Sequence, residues 1–339
     1  MQEREKLKSR LGFLLISAGC AIGVGNVWKF PYMAGQGGGG AFLVFYVLFL
    51  VIMGLPIMTM EFAVGRASQK SPVKAYQALE KPGQKWHIHG YITLIGCYLL
   101  MMFYTTVTGW MLHYFYLTAA GRFEGKDAAQ VEGIFNEMLG QPLVMAGWMI
   151  LVVVVCILIC SRGLQNGLEK ITKVMMLALM VLMLVLAINS CTLEGAKEGL
   201  KFYLLPDFDR MMEAGIGNTI VGAMNQSFFT LSLGIGAMAI FGSYIGKERS
   251  LLGESVNVAL LDTFVAFTSG LIIFPACFTF GVDQTSGPSL IFITLPNIFN
   301  HIPLGRLWGC LFFVCMTFAA VSTVLAVFEN IITCGMELT

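Results

Sequence analysis

Charge is scarce in this sequence. Of its 339 residues 12% are Asp, Glu, Lys or Arg, while 57% are hydrophobic and the mean hydropathy is +0.76. A soluble domain carries about twice that charged share, so there is too little polar surface to cover a core of this size in water. A soluble globular protein is excluded, and the apolar content suffices for about nine membrane spans at ~20 residues each. An excess of one sign is also missing. The net charge is +1 with an isoelectric point near 7.5, which excludes a nucleic-acid binder built on a concentrated basic field. Histidine is rare: His87, His89, His113 and His301 stand singly or in loops, and no GxSxG or HExxH pattern occurs. A nucleophile with its base, or a hydrolytic metal, therefore has no carrier, and the chain does not read as an enzyme. The nine cysteines are an odd number, and Cys20, Cys97, Cys156, Cys160, Cys277, Cys310, Cys315 and Cys334 lie in apolar runs. There a thiol is a small hydrophobe, and neither a disulfide framework nor a zinc site is predicted. The opening MQEREKLKSR leads into a stretch too long and too glycine-rich for a cleavable signal, so the first span stays.

Hydropathy predicts spans at about 12–33, 41–64, 90–119, 143–160, 167–190, 218–245, 251–281 and 304–335. The expectation is an all-α integral membrane protein of about eight helices, embedded in the bilayer of the cell membrane. Fourteen of the 21 Lys and Arg residues lie at the amino terminus, in 66–89, in 162–173 and at Lys247 and Arg249. These segments are predicted cytoplasmic. The other loops carry Glu124, Asp127, Glu132 and Glu137, and Glu194, Glu198, Asp207, Asp209 and Glu213, and are predicted outside. An even span count puts both termini of this chain in the cytoplasm.

Two spans read as broken. The first contains GCAIGVGN at 19–26 and the sixth SLGIGA at 232–237. Each glycine costs a helix up to ~1 kcal/mol. Small residues at close helix contacts are the alternative reading. Two such clusters, similarly placed in two halves of the chain, point instead to an inverted repeat with paired broken helices. Unwound backbone at membrane depth is tolerated only where it lines a cavity. The midpoints of spans one and six are therefore the first candidate for a binding site.

The segment RLGFLLISAGCAIGVGNVWKFPYMAGQGGGGAFLVFY from Arg10 to Tyr46 closely resembles the first two spans of the neurotransmitter:sodium symporter family. Further matches are Tyr104 with Trp110 six residues on, QSFFTLSLGIGA at 226–237, LLDTFVAFTSG at 260–270 and AAVSTVLAVFEN at 319–330. The resemblance implies two inverted five-helix repeats, with 1–190 as the first and 191–339 as an incomplete second. It also implies two sodium ions and no organic cofactor. One sodium site is implied at the carbonyls of Gly19, Ile22 and Ala319 with the hydroxyls of Ser322 and Thr323. Positions 319, 322 and 323 share one helical face, although Ser and Thr also bond back to their own helix. The other is implied at the Ala21 carbonyl, Asn26, Thr230 and Asp262. Most relatives have Asn at the last position, and chloride-dependent members carry a hydroxyl where this chain has Ala266. Asp262 is thus expected to supply the negative charge and to make transport chloride-independent, a salt bridge or a protonated acid being the alternative.

Amine carriers of the family place an Asp where this chain has Gly23, so the implied substrate is a neutral amino acid. Its carboxylate is expected at the amides around Val24 and Gly25, a helix amino-terminal end, and at the Tyr104 hydroxyl. Its ammonium is expected at the carbonyls of Ala21, Phe229 and Thr230 and at Ser232. The implied side-chain pocket is Leu100, Tyr104, Phe229, Ser232, Ile235, Thr323 and Val327, which suits a hydrophobic or aromatic side chain. Arg4, Tyr244 and Glu337 fall where the family closes its cytoplasmic gate. Lys29 replaces the Arg of the outer gate, keeping the charge without the bidentate fork; its acidic partner in the family lies in span ten. The chain ends at Thr339, after eight of the family's ten core helices, so it is expected to be a piece of a longer protein or a shortened one. The functional expectation is a sodium-coupled amino-acid importer working by alternating access. A proton-coupled permease of the same architecture and a non-transporting amino-acid-binding membrane protein stay open beside it.

Overall fold

The computed structural model describes residues 9–281, 283, 290–300 and 302–339, and among these every regular element is a helix. Six helices are long and apolar enough to cross a membrane: Gly40–Ser68, His87–Ala119, Pro142–Cys160, Leu164–Cys191, Leu251–Phe280 and Gly305–Leu338. A bent pair, Arg10–Ala21 with Gly25–Gln36 at 55°, makes seven. The predicted count of eight is reached only with a second broken pair, Ile216–Thr230 and Ala237–Gly242. Neither of its halves is long enough to cross alone. In chain order these are called spans one to eight. Short helices Ala128–Leu139, Ala196–Leu204 and Phe208–Ala214 occupy the acid-rich loops.

Burial sorts the spans into centre and periphery. Spans seven and eight are 67% buried along their apolar windows, whereas span four is 17% buried. Span eight packs along span three and against the first half of span one, and span seven packs against both halves of span one. The broken helices are therefore held in the middle of the bundle. Glycine allows this where backbones touch. A Cβ on Gly65 of span two would overlap the Ala239 carbonyl oxygen, and one on Gly242 would stand 2.5 Å from the Phe62 carbonyl oxygen. The small-residue packing weighed as an alternative is real, both here and at the breaks, where a Cβ on Gly236 would stand 2.9 Å from Pro72.

Candidate functional site

Span one starts under a Ser9 cap, whose hydroxyl accepts the Gly12 N–H at 3.0 Å, and its helix ends at Ile22, which is extended (φ −71°, ψ 108°). Helix resumes at Gly25. Carbonyls freed at this break turn toward span eight. The Ser322 hydroxyl lies 2.9 Å from the Ala319 carbonyl and 3.4 Å from that of Ile22. The Thr323 hydroxyl lies 3.3 Å from Gly19, 3.5 Å from Cys20, 3.3 Å from Ile22 and 3.4 Å from Ala319 carbonyl oxygens. Two hydroxyl protons thus face four carbonyls, most of them at distances too long for good hydrogen bonds. A hard cation with oxygens at ~2.4 Å holds neighbouring oxygens ~3.4 Å apart in an octahedral shell, and the Thr323 spacings match that. Ser322 does bond back to its own helix, but Thr323 meets the Ala319 carbonyl only at 3.4 Å. Bonding back therefore leaves most of the cluster unexplained.

A second polar cluster joins spans one, six and seven, and Asn26, Thr230 and Asp262 in it are each 0% exposed. The Asn26 amide donates to Asp262 Oδ1 at 2.7 Å and to Thr230 Oγ1 at 3.0 Å, and Thr230 donates to Asp262 Oδ2 at 2.9 Å. Asn26 Oδ1 accepts the Gly23 N–H at 3.1 Å. No cationic side chain pairs with Asp262 among the described residues, and Ala266 is buried one turn away. Nearby polar atoms lack partners as well. Tyr46 OH, Thr263 Oγ1 and Gln226 Oε1 are buried with no hydrogen bond among the described residues. The charge that a bound cation would balance here is the buried Asp262 carboxylate. Among the described residues no three His, Cys, Asp or Glu side chains converge as a softer metal would require.

Between the two clusters lies a cavity of about 90 Å³, lined by Cys20, Ala21, Gly25, Leu100, Tyr104, Phe229, Ser232, Leu233, Ile235 and Thr323. It gathers most of the predicted pocket. Val327 is buried without lining the cavity. Gly23 explains the cavity's polar corner, because a Cβ there would overlap the Tyr104 hydroxyl and stand 2.5 Å from Thr323 Oγ1. The Val24 N–H donates to the Tyr104 hydroxyl at 2.8 Å. Cys20 and Leu233 went unpredicted; their neighbours in the motifs carried the signal.

Span six breaks after Thr230, and Ser232 (φ 52°), Gly234 (φ 86°) and Gly236 (φ 74°) all take the left-handed conformation. The helix is unwound here by backbone geometry, as its glycines predict. Other spans satisfy the freed groups. The Gly234 N–H donates to Glu61 Oε1 at 2.7 Å, and Ser232 Oγ donates to the Cys20 carbonyl at 2.9 Å. The Ile235 carbonyl accepts from Cys97 Sγ and from the Asn330 amide, each at 3.2 Å. Sequence reasoning missed Glu61, Cys97 and Asn330. A carboxyl group within span two was the available signal for the first.

Gly25, Tyr104 and Phe229 line both this cavity and a wider one of about 210 Å³, whose other lining residues are Val24, Trp28, Lys29, Tyr32 and Phe103. The Lys29 ammonium sits 3.7 Å from the centroid of the Phe229 ring. At the opposite end Tyr244 donates to Glu329 at 2.8 Å, while the Glu337 carboxylate accepts from the Ser71 N–H and hydroxyl. Arg4, the third predicted gate residue, lies outside the described residues. Two further ion pairs hold the start of span one: Arg10 to Glu254 at 3.0 Å, and Lys173 to Glu169 at 2.6 Å, with the Lys173 ammonium also 2.7 Å from Ser9 Oγ.

Comparison with known proteins gives the family and the fold. The model of the sodium:neurotransmitter symporter family matches residues 4–130 and 133–338. An uncharacterized sodium-dependent transporter of Bacillus subtilis, YhdH, is 37% identical over 324 residues, covering 96% of this chain and 71% of the relative. One from Haemophilus influenzae is 31% identical, covering 99% of this chain and 75% of the relative. The crystal structure of MhsT in complex with L-phenylalanine superposes with a TM-score of 0.90 at 38% identity, over 98% of this chain and 75% of that one. The chain belongs to the sodium:neurotransmitter symporter family and is a sodium-dependent, multi-pass membrane transporter.

Proposed function

We propose that the protein imports a neutral hydrophobic or aromatic amino acid across the cell membrane together with sodium, without needing chloride, and with both ends of this chain on the cytoplasmic side. The observation that carries the reading is the crowd of carbonyl and hydroxyl oxygens around Thr323 on one side of the cavity. Bare, such a cluster is short of protons, and a bound sodium ion resolves it. Gly19, Ile22, Ala319, Ser322 and Thr323 hold one ion. Ala21, Asn26, Thr230 and Asp262 hold the other, next to the substrate carboxylate. The Asp262 charge is balanced by that ion, which removes the need for a chloride. Tyr104 and the amides of Val24 and Gly25 receive the carboxylate. The carbonyls of Ala21, Phe229 and Thr230 and the Ser232 hydroxyl receive the ammonium, and Leu100, Ile235 and Phe229 enclose the side chain. A neutral amino acid is supported by Gly23, where a side chain has no room, and by L-phenylalanine in the complex of the similar protein MhsT.

Import then proceeds by alternating access. Phe229 and Lys29 close the outer path, and Arg4, Tyr244 and Glu337 close the inner one. If two sodium ions enter with one zwitterion, the membrane supplies about 4.6 kcal/mol per 100 mV, a roughly thousandfold gradient. A proton-coupled reading draws support from the lack of a cationic partner at Asp262 among the described residues. Uptake of radiolabelled phenylalanine, tryptophan and leucine into proteoliposomes under a sodium or a potassium gradient separates the two. Sodium-driven uptake supports the proposal, and equal uptake under a pH gradient in potassium overturns it.

A further inference from the structure

The Ser232 and Leu233 amides of the unwound segment bond back to Phe229 and Phe228 of span six, but the Ile235 carbonyl is held from other spans. Ile235 lines the cavity and stands between two left-handed glycines, Gly234 and Gly236. Its Cγ2 lies 3.9 Å from where a Cβ would sit on Gly96 of span three. Backbone at membrane depth needs its polar groups satisfied, and both donors to the Ile235 carbonyl come from outside the segment. Cys97 of span three and Asn330 of span eight each donate at 3.2 Å, and the Asn330 amide also donates to Cys97 Sγ at 3.3 Å. The three groups form a closed triangle, with Cys97 0% and Asn330 1% exposed. Cys334 Sγ donates to Asn330 Oδ1 at 3.6 Å, fixing the amide's orientation. Two peptides earlier in the same unwound segment the Gly234 N–H is held by Glu61.

We infer that Cys97 and Asn330 are positioning residues that set side-chain specificity, by pinning the Ile235 carbonyl and so fixing how far the Ile235 side chain reaches into the substrate cavity. The inference rests on the amino-acid reading above. Neither side chain touches the substrate; both act through Ile235. With the triangle intact the floor has one depth, and the site discriminates among side chains by size. Without it the peptide can rotate about its flanking glycines, and the floor adapts to the side chain.

The test compares Cys97→Ala, Asn330→Ala and Cys97→Ser with the parent protein in proteoliposomes. Cys97→Ser keeps a donor to the carbonyl and controls for the loss of sulfur. Competition of alanine, leucine and tryptophan against radiolabelled leucine in sodium gives the preference ratio, and backbone amide exchange over 231–237 reports the segment. Each alanine variant is expected to compress the ratio between best and worst competitor by ~10-fold, the equivalent of one hydrogen bond to a buried carbonyl. Exchange over 231–237 is expected to accelerate, while half-saturation by sodium and the properties of Cys97→Ser stay at parent values. An unchanged ratio in well-folded alanine variants overturns the specificity role. Unchanged exchange overturns the clamp. A parent that binds no amino acid while its exchange responds to the variants overturns the amino-acid reading, and the specificity claim with it, but not the clamp.

Discussion

Thr323→Val removes one hydroxyl from the crowd of carbonyls without changing side-chain volume. In the parent that oxygen lies 3.3 to 3.5 Å from four carbonyls and is itself 3.4 Å from the Tyr104 hydroxyl. As a sodium ligand it is one oxygen of five. A polar contact to a charged group contributes about 1.5–3 kcal/mol, so its loss weakens sodium binding by ~10- to 100-fold. Sodium at 100 times its dissociation constant stabilises the parent by about 2.7 kcal/mol, and the same concentration stabilises the variant by about 0.4–1.4 kcal/mol. In potassium buffer the variant should be as stable as the parent within ~1 kcal/mol, because Thr323 makes no short hydrogen bond to lose. The assay is thermal unfolding of the purified protein against sodium concentration at constant ionic strength. A variant that keeps the parent's sodium-dependent stabilisation, or is ~3 kcal/mol less stable in potassium, would refute the reasoning. The second outcome would mean that the hydroxyl is a structural hydrogen bond.

Further outcomes follow from other contacts. Asp262→Asn removes the carboxylate of the second cluster, so uptake in the variant should become chloride-dependent or be lost; replacing chloride with gluconate reads this directly, and the parent should not respond. Gly23→Ala places a methyl group 2.5 Å from Thr323 Oγ1 and over the Tyr104 hydroxyl, and equilibrium binding of amino acid should fall by at least ~10-fold with the fold retained. Gly242→Ala drives a methyl group to 2.5 Å from the Phe62 carbonyl oxygen, and thermal unfolding should show a loss of ~1–3 kcal/mol independent of sodium. Lys29→Met removes the cation from the Phe229 ring, and amino-acid release from the site should accelerate by ~2- to 30-fold, whereas Lys29→Arg should release at the parent rate.

The two breaks were legible because glycine spacing reports backbone freedom directly: GCAIGVGN and SLGIGA both unwind, at Ile22 and from Leu231 to Gly236. Asp262 was legible because an acid in an apolar run needs a reason. Ser322 and Thr323 were legible through the family resemblance, with which their helical spacing, one face shared with Ala319, is consistent. The residues that hold the breaks open were not. Cys97 reads as a small hydrophobe, Asn330 as one more polar residue near a helix end, and Glu61 as a residue near the cytoplasmic loop. Each acquires meaning from a partner in a distant span, and periodicity within one helix carries no such information. Val327 illustrates the converse: the resemblance implied it in the pocket, but it is buried without lining the cavity. The contacts at the start of span one were equally hidden: Glu169 and Lys173 are an ordinary i,i+4 pair in sequence, and Glu169 meets Ser9, and Glu254 meets Arg10, only through packing.

The central claim is that sodium occupies the oxygen clusters and drives an amino acid through the cavity between them. The most direct measurement is uptake of radiolabelled phenylalanine into proteoliposomes loaded with potassium and diluted into sodium or potassium, each with chloride or gluconate. Concentrative uptake in sodium with either anion, abolished when the sodium gradient is collapsed, is the predicted result. Phenylalanine, tryptophan and leucine uptake that is equal in sodium and potassium would contradict the account.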